Sequence, residues 1–110
     1  MAPVIRVVTR RLDGLGEADL DAERALLSAA ERHRATRFVF ETGRVEYITA
    51  HALVRASLAE ALDVTPDRLS FVDGAYGKPA AWVDGGPAPI SFNLSHTRGM
   101  VAVAIGSAEL

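Results

Sequence analysis

The longest uninterrupted pattern in the chain runs from Glu41 to Leu62. There Val45, Ile48, Ala52, Leu58, Ala59 and Leu62 keep helical spacing, and the many alanines favour helix. After Asp63-Val64-Thr65-Pro66, where Thr65 and Pro66 suit one more short capped turn, the period changes. Brief β-type runs follow at Leu69–Val72, Ala80–Val83, Ile90–Leu94 and Met100–Ile105. Gly74–Gly77, Asp84–Pro89 and Thr97-Arg98-Gly99 separate them as turns. Upstream, Val4–Thr9 is β-branched and predicts a first strand, Asp13–Gly16 a turn, and Glu17–Leu27 a helix. Ser28-Ala29-Ala30-Glu31 has the order of a capping box, so another helix is expected from there through Arg37. This order predicts an α+β fold, with an antiparallel meander covered by one long helix.

A length of 110 residues, 49% of them hydrophobic and 24% charged, suits one small globular domain and excludes a large multidomain enzyme. There is no apolar run of membrane-spanning length, and Met1–Arg11 lacks a signal-peptide core, so a cytoplasmic protein with no membrane partner is expected. Cysteine is absent, which removes disulfides, thiol catalysis and thiolate metal sites. His33, His51 and His96 are far apart in sequence and do not suggest a metal cage. The formal charge of −2 conceals an asymmetry. Arg24 to Arg55 contains six arginines against Glu31, Glu41 and Glu46, and Lys78 is the only lysine. Such a stretch can meet an anion, or it can simply solvate one helical face.

Two short motifs carry possible chemistry. In Tyr76-Gly77-Lys78-Pro79 the glycine permits close backbone approach to a ligand, the lysine offers a point charge for phosphate, and the proline stiffens the strand entry. An ordinary hairpin turn with a solvated lysine is the alternative. In Phe92-Asn93-Leu94-Ser95-His96, strand alternation puts Ile90, Phe92, Leu94 and His96 on one face and Ser91, Asn93 and Ser95 on the other. His96 then ends an apolar row where a histidine can donate to phosphate, or it can bond a backbone carbonyl at the rim. Alternation also argues against a Ser95–His96 nucleophile pair. Phe38, Phe40, Tyr47 and Trp82 read as core or rim packing rather than nucleotide-stacking groups, so no nucleic acid partner is expected.

Taken in order, these motifs resemble the N-terminal half of a 4′-phosphopantetheinyl transferase of the Sfp-like type. The resemblance runs through Ser28, Glu31-Arg32-His33-Arg34-Ala35-Thr36-Arg37-Phe38-Val39-Phe40 and Tyr47, then Ala50-His51-Ala52-Leu53-Val54-Arg55. It continues through Tyr76-Gly77-Lys78-Pro79, Phe92-Asn93-Leu94-Ser95-His96 and the strand Val101-Ala102-Val103-Ala104-Ile105. It implies one half of a two-halved α+β enzyme with coenzyme A in the cleft between halves. Such enzymes use magnesium and coenzyme A to move phosphopantetheine to a serine of an acyl or peptidyl carrier protein. By matching position, Arg34 meets the 3′-phosphate, Gly77, Lys78 and Pro79 border the adenine, and Ser95 and His96 bond phosphate oxygens. Arg55 also matches, as a ligand or as a structural ion-pair residue.

The same resemblance marks a departure. The family's G-[VI]-D-[VI]-E stretch, whose carboxylates hold magnesium, does not occur in these 110 residues, and Glu109 is not a substitute for it. Residues 1–110 are therefore expected to form an N-terminal half-domain, inactive without a C-terminal half that supplies the Mg2+ site. An apolar docking surface, with self-association of the isolated half, is expected too. The alternatives are a non-catalytic module that binds coenzyme A or another nucleotide, and an inactive fragment.

Overall fold

The computed structural model describes residues 5–107 and has the expected α+β composition. The elements in chain order are β1 (Ile5–Arg11), α1 (Glu17–Arg24), α2 (Ala29–Ala35), α3 (Glu41–Leu62), β2 (Leu69–Asp73), β3 (Pro79–Val83), β4 (Gly86–Pro87), β5 (Ser91–Thr97) and β6 (Met100–Gly106). One-turn 3-10 segments at Pro66–Arg68 and Ala75–Gly77 precede β2 and β3. The capping box at α2 is present: Ser28 Oγ accepts from the Glu31 N–H at 3.2 Å, and Glu31 Oε1 accepts from the Ser28 N–H at 2.8 Å. Helix α3 stops at Asp63, whose left-handed φ of 54° turns the chain out of the helix.

The single meander is corrected to two antiparallel sheets, ordered β1-β6-β5 and β2-β3-β4. The first strand pairs with the last, Val8 opposite Val103, so local hairpins alone do not make the larger sheet. The physical cause of the division lies after the Asp84-Gly85 turn. Both turn residues have positive φ, as a tight hairpin requires, but β4 is only Gly86–Pro87 before pairing ends. Pro87 and Pro89 cannot both feed a continuing ladder, and the chain crosses to the other sheet. There β5 begins at Ser91 rather than Ile90 and runs to Thr97, past the predicted end at Leu94.

Helix α3 packs on both sides. Val54, Leu58 and Ala59 share a core with Leu69, Ala81, Phe92, Val103 and Ile105, while Ile48 and Ala52 join Leu20, Leu27 and Ala35. A helix enclosed in this way needs apolar or small residues nearly all round, which explains its alanines. The outer helices are also tied by polar contacts. Glu23 of α1 accepts from Arg10 of β1 at 3.0 Å and from the buried Thr49 hydroxyl of α3 at 2.8 Å. Among the described residues, no helix is long and apolar enough to cross a membrane.

Leu58 is fully buried between α3 and the sheets. Leu58→Ala is expected to destabilise the fold by about 2–5 kcal/mol, from lost transfer energy and the cavity left behind. Urea unfolding checks this, and a cost below about 1 kcal/mol would contradict the packing described.

Candidate functional site

Where α2, α3 and the two sheets converge they leave a cleft of 440 Å³. Glu31 of α2, Tyr47, His51 and Val54 of α3, and Phe71 of β2 form part of its wall, together with Lys78 and Pro79 at the start of β3 and Phe92–Leu94 of β5. The lining is mainly apolar with a few polar groups at one side, the usual form of a small-molecule site.

Glu31 organises the polar side. Besides its cap contact, its carboxylate accepts from Arg55 Nε at 2.6 Å and lies 3.3 Å from His51 Nδ1. Burial pushes the Glu31 pKa up, but the His51, Ser28 and Arg55 hydrogen bonds outweigh it and hold the group at about 2. Arg55 itself is only 4% exposed. Its Nη1 donates to the Pro66 and Leu69 carbonyls, both at 3.0 Å, and its guanidinium carbon lies 5.2 Å from the Phe71 ring centroid. Of the two readings the sequence allows for Arg55, the structure takes the structural ion pair. The Tyr47 ring lies 4.1 Å from that of His51, and burial, reinforced by the Glu31 charge, raises its phenol pKa.

The structure distributes the six residues singled out by sequence over the cleft and its surroundings. Lys78 and Pro79 line the cleft directly. Gly77 lies in the turn before them with a φ of 75°, next to Tyr76, whose φ of 59° is also left-handed. Arg34 lies outside the cleft, in a neighbouring groove with Arg37 and Phe38. A row of rings, Phe38 to Tyr47 at 5.3 Å and Tyr47 to His51, joins that groove to the cleft wall. His96 stands two residues beyond Leu94 on the same face of β5, 63% exposed, with Nδ1 3.2 Å from Glu46 Oε1. A carboxylate of α3, not a backbone carbonyl, therefore orients this ring. Ser95 is exposed and, by alternation, on the opposite face of the strand from His96. Phe40, expected to pack, is 76% exposed at the N-cap of α3.

Sequence reading missed Glu31, Tyr47 and His51 as cleft residues. One signal was available: Tyr47, His51 and Arg55 are spaced i, i+4, i+8 and form a polar stripe on one side of α3. Glu31 carried no such mark, because its cap role already accounted for it. Among the described residues, no group of three or more His, Asp or Glu side chains is placed to hold a metal ion.

A family model described as "4′-phosphopantetheinyl transferase, N-terminal" matches residues 16–108, nearly the whole of the elements described above. The chain belongs to the 4′-phosphopantetheinyl transferase family. It is 41% identical over 86 residues to a phosphopantetheinyl transferase of Thraustochytrium sp., covering 74% of this chain and 29% of that protein. To the 4′-phosphopantetheinyl transferase HetI of Nostoc sp. it is 30% identical over 89 residues, covering 81% and 38% of the two chains. The chain thus spans about a third of the length of these curated relatives. Among solved structures, it shares the fold of a Bacillus anthracis holo-(acyl-carrier-protein) synthase in complex with CoA (3′,5′-ADP). The TM-score is 0.68 at 15% identity, covering 93% and 92% of the chains. The Helicobacter pylori holo-[acyl-carrier-protein] synthase in complex with coenzyme A is similar, with TM-score 0.63, 10% identity and coverage of 93% and 97%.

The Glu31 contact has a pH signature. Its depressed pKa makes its stabilisation complete above the ordinary value of 4.5, and the stabilisation is lost as pH falls from there through about 2. Urea unfolding from about pH 6 down to about pH 2 is expected to show a loss on the order of 3 kcal/mol from this group. Glu31→Gln is expected to be less stable at the upper end and flatter across the window. A variant with the slope of the parent would contradict this assignment.

Proposed function

We propose that residues 1–110 are the coenzyme A-binding N-terminal half of a transferase that moves 4′-phosphopantetheine from coenzyme A to a serine of an acyl or peptidyl carrier protein. The observation that carries the reading is the cleft. It is lined by Lys78 and Pro79, from the turn that the family resemblance assigns to the nucleotide, and it lies against the long helix of a chain matched as a family N-terminus. Phe71, Pro79, Phe92 and Leu94 give a flat base an apolar seat, and Lys78 offers an ammonium to a phosphate. Gly77 takes the left-handed φ of 75° that the turn before Lys78 requires, which glycine adopts without strain. Arg34 in the adjoining groove is assigned to the 3′-phosphate, and His96 and Ser95 at the end of β5 to phosphate oxygens. His96 keeps Nε2 for this contact while Glu46 holds Nδ1.

Magnesium supplies charge stabilisation on the pyrophosphate in this chemistry when bound. The described residues do not fit it, since no group of three or more His, Asp or Glu among them is placed to hold a metal ion. We assign its donors to a C-terminal half, without which this chain is inactive. The face of the larger sheet turned away from α3 supports such a partner. It carries Ile5, Val7 and Thr9 beside Ala102 and Ala104, and Val7 is 62% exposed. In the isolated half, self-association through that face replaces the missing contact. The reading is of a cytoplasmic enzyme half with neither nucleic acid nor membrane as partner.

Calorimetric titration with coenzyme A is expected to give saturable heat, weakened roughly tenfold in Lys78→Ala by loss of a charge-assisted contact. Absence of heat at high ligand concentration would remove the reading. With an apo carrier protein, coenzyme A and magnesium, mass spectrometry is expected to show no serine modification by this chain alone. Adding a separately made C-terminal half is expected to produce it. If binding occurs but the mixture stays inactive with both parts folded, the non-catalytic binding module is the better reading.

A further inference from the structure

We propose that His51 is an anion-contacting residue of the cleft, an imidazolium that donates its Nε2–H to a phosphate group of the ligand while Glu31 holds Nδ1. The inference rests on the coenzyme A reading above and assigns a role to a residue that the motif comparison left without one.

The ring is fixed from two sides. Glu31 Oε2 lies 3.3 Å from Nδ1, and the Tyr47 ring is 4.1 Å away at a tilt of 33°. With Nδ1 engaged, Nε2 is the nitrogen left for a ligand, and among the described residues no hydrogen-bond or ion-pair partner is placed on it. His51 also lines the cleft, with its side chain 35% exposed, whereas a histidine serving only the core would be enclosed.

The surrounding charges favour an anion. Glu31 of α2 brings a negative charge to this wall, but Arg55 of α3 already pairs it at 2.6 Å. That pairing cancels the Glu31 charge, so the carboxylate does not leave this wall negative. Lys78, from the turn before β3, adds a cation to the lining, and Arg34 of α2 is near enough to act on Tyr47. Val54, Phe71, Phe92 and Leu94 make up much of the remaining wall, and a charge-assisted bond is stronger beside apolar groups than in open water. His96, two residues past Leu94, repeats the arrangement with Glu46 on its Nδ1, so α3 contributes one member to each of two histidine–glutamate pairs.

Coenzyme A offers this contact two sources, the 3′-phosphate and the pyrophosphate, with the same chemistry. Calorimetric titration of the parent protein, His51→Gln and His51→Arg with coenzyme A and with 3′-dephospho-coenzyme A separates them. His51→Gln is expected to weaken coenzyme A binding about tenfold, and His51→Arg to restore most of it, because arginine keeps the charge and the donor. The His51→Gln penalty disappears with 3′-dephospho-coenzyme A if the partner is the 3′-phosphate and persists if it is the pyrophosphate. Either result supports the proposal. In the parent protein, the 15N resonance of His51 Nε2 is expected to shift on ligand addition much more than that of Nδ1, which decides the matter even if His51→Gln fails to fold. Parent binding with an unchanged Nε2 resonance overturns the proposal, and so does a loss in His51→Gln that His51→Arg does not restore. Parent protein that binds no coenzyme A overturns the cleft reading itself, and this assignment with it.

Discussion

The ionic contact between Glu31 and Arg55 sets the position of everything around the cleft. Arg55 is buried on α3, and its guanidinium reaches the α2 carboxylate, the Pro66 and Leu69 carbonyls and the Phe71 ring together. One side chain therefore joins two helices to the entry of the second sheet. A buried charge of this kind is tolerated only with its partners in place, and removing one member strands the other at a cost of about 3–5 kcal/mol. The aromatic contact of Phe71 with Phe92, 5.6 Å between centroids, carries the same constraint on to β5.

From that junction the two functional aspects of the cleft follow. Its floor is apolar because the strands that reach it are also core strands: Phe92 belongs both to the cleft wall and to the core with Leu58 and Val103. Part of its polar edge comes from helix spacing, which sets Tyr47 and His51 one above the other on α3, with Arg55 one turn further along behind the wall. The three members of this stripe divide the work by depth. Arg55, the most enclosed, is spent on the fold, whereas Tyr47 and His51 meet the cleft. Matched positions of one helix thus differ in surroundings, Arg55 enclosed in the fold and His51 at the cleft wall.

Helix α3, the capping box at Ser28 and the turn at Arg98-Gly99 were legible because each depends on neighbours within a few residues, whereas the loop expected over Asp84–Pro89 holds the short strand β4. Periodicity, a reciprocal cap and turn chemistry are local physics. The division into two sheets was not legible, since β1 finds its partner in β6 across nearly the whole chain. Strand alternation was sound for Phe92, Leu94 and His96, yet it could not name the carboxylate that orients His96, because Glu46 comes from a different element.

The chain's order of motifs determined by itself the α+β class, the helix that organises it and the family to which it belongs. Side-chain type and short-range spacing are enough for those conclusions. Only the tertiary structure decided which polar residues share a site. Glu31 and His51 meet because α2 folds back on α3, and Lys78 joins them because the second sheet closes against that helix. Such meetings depend on how apolar faces pack at long range, so the sequence could place Glu31 at a cap but not in a cleft.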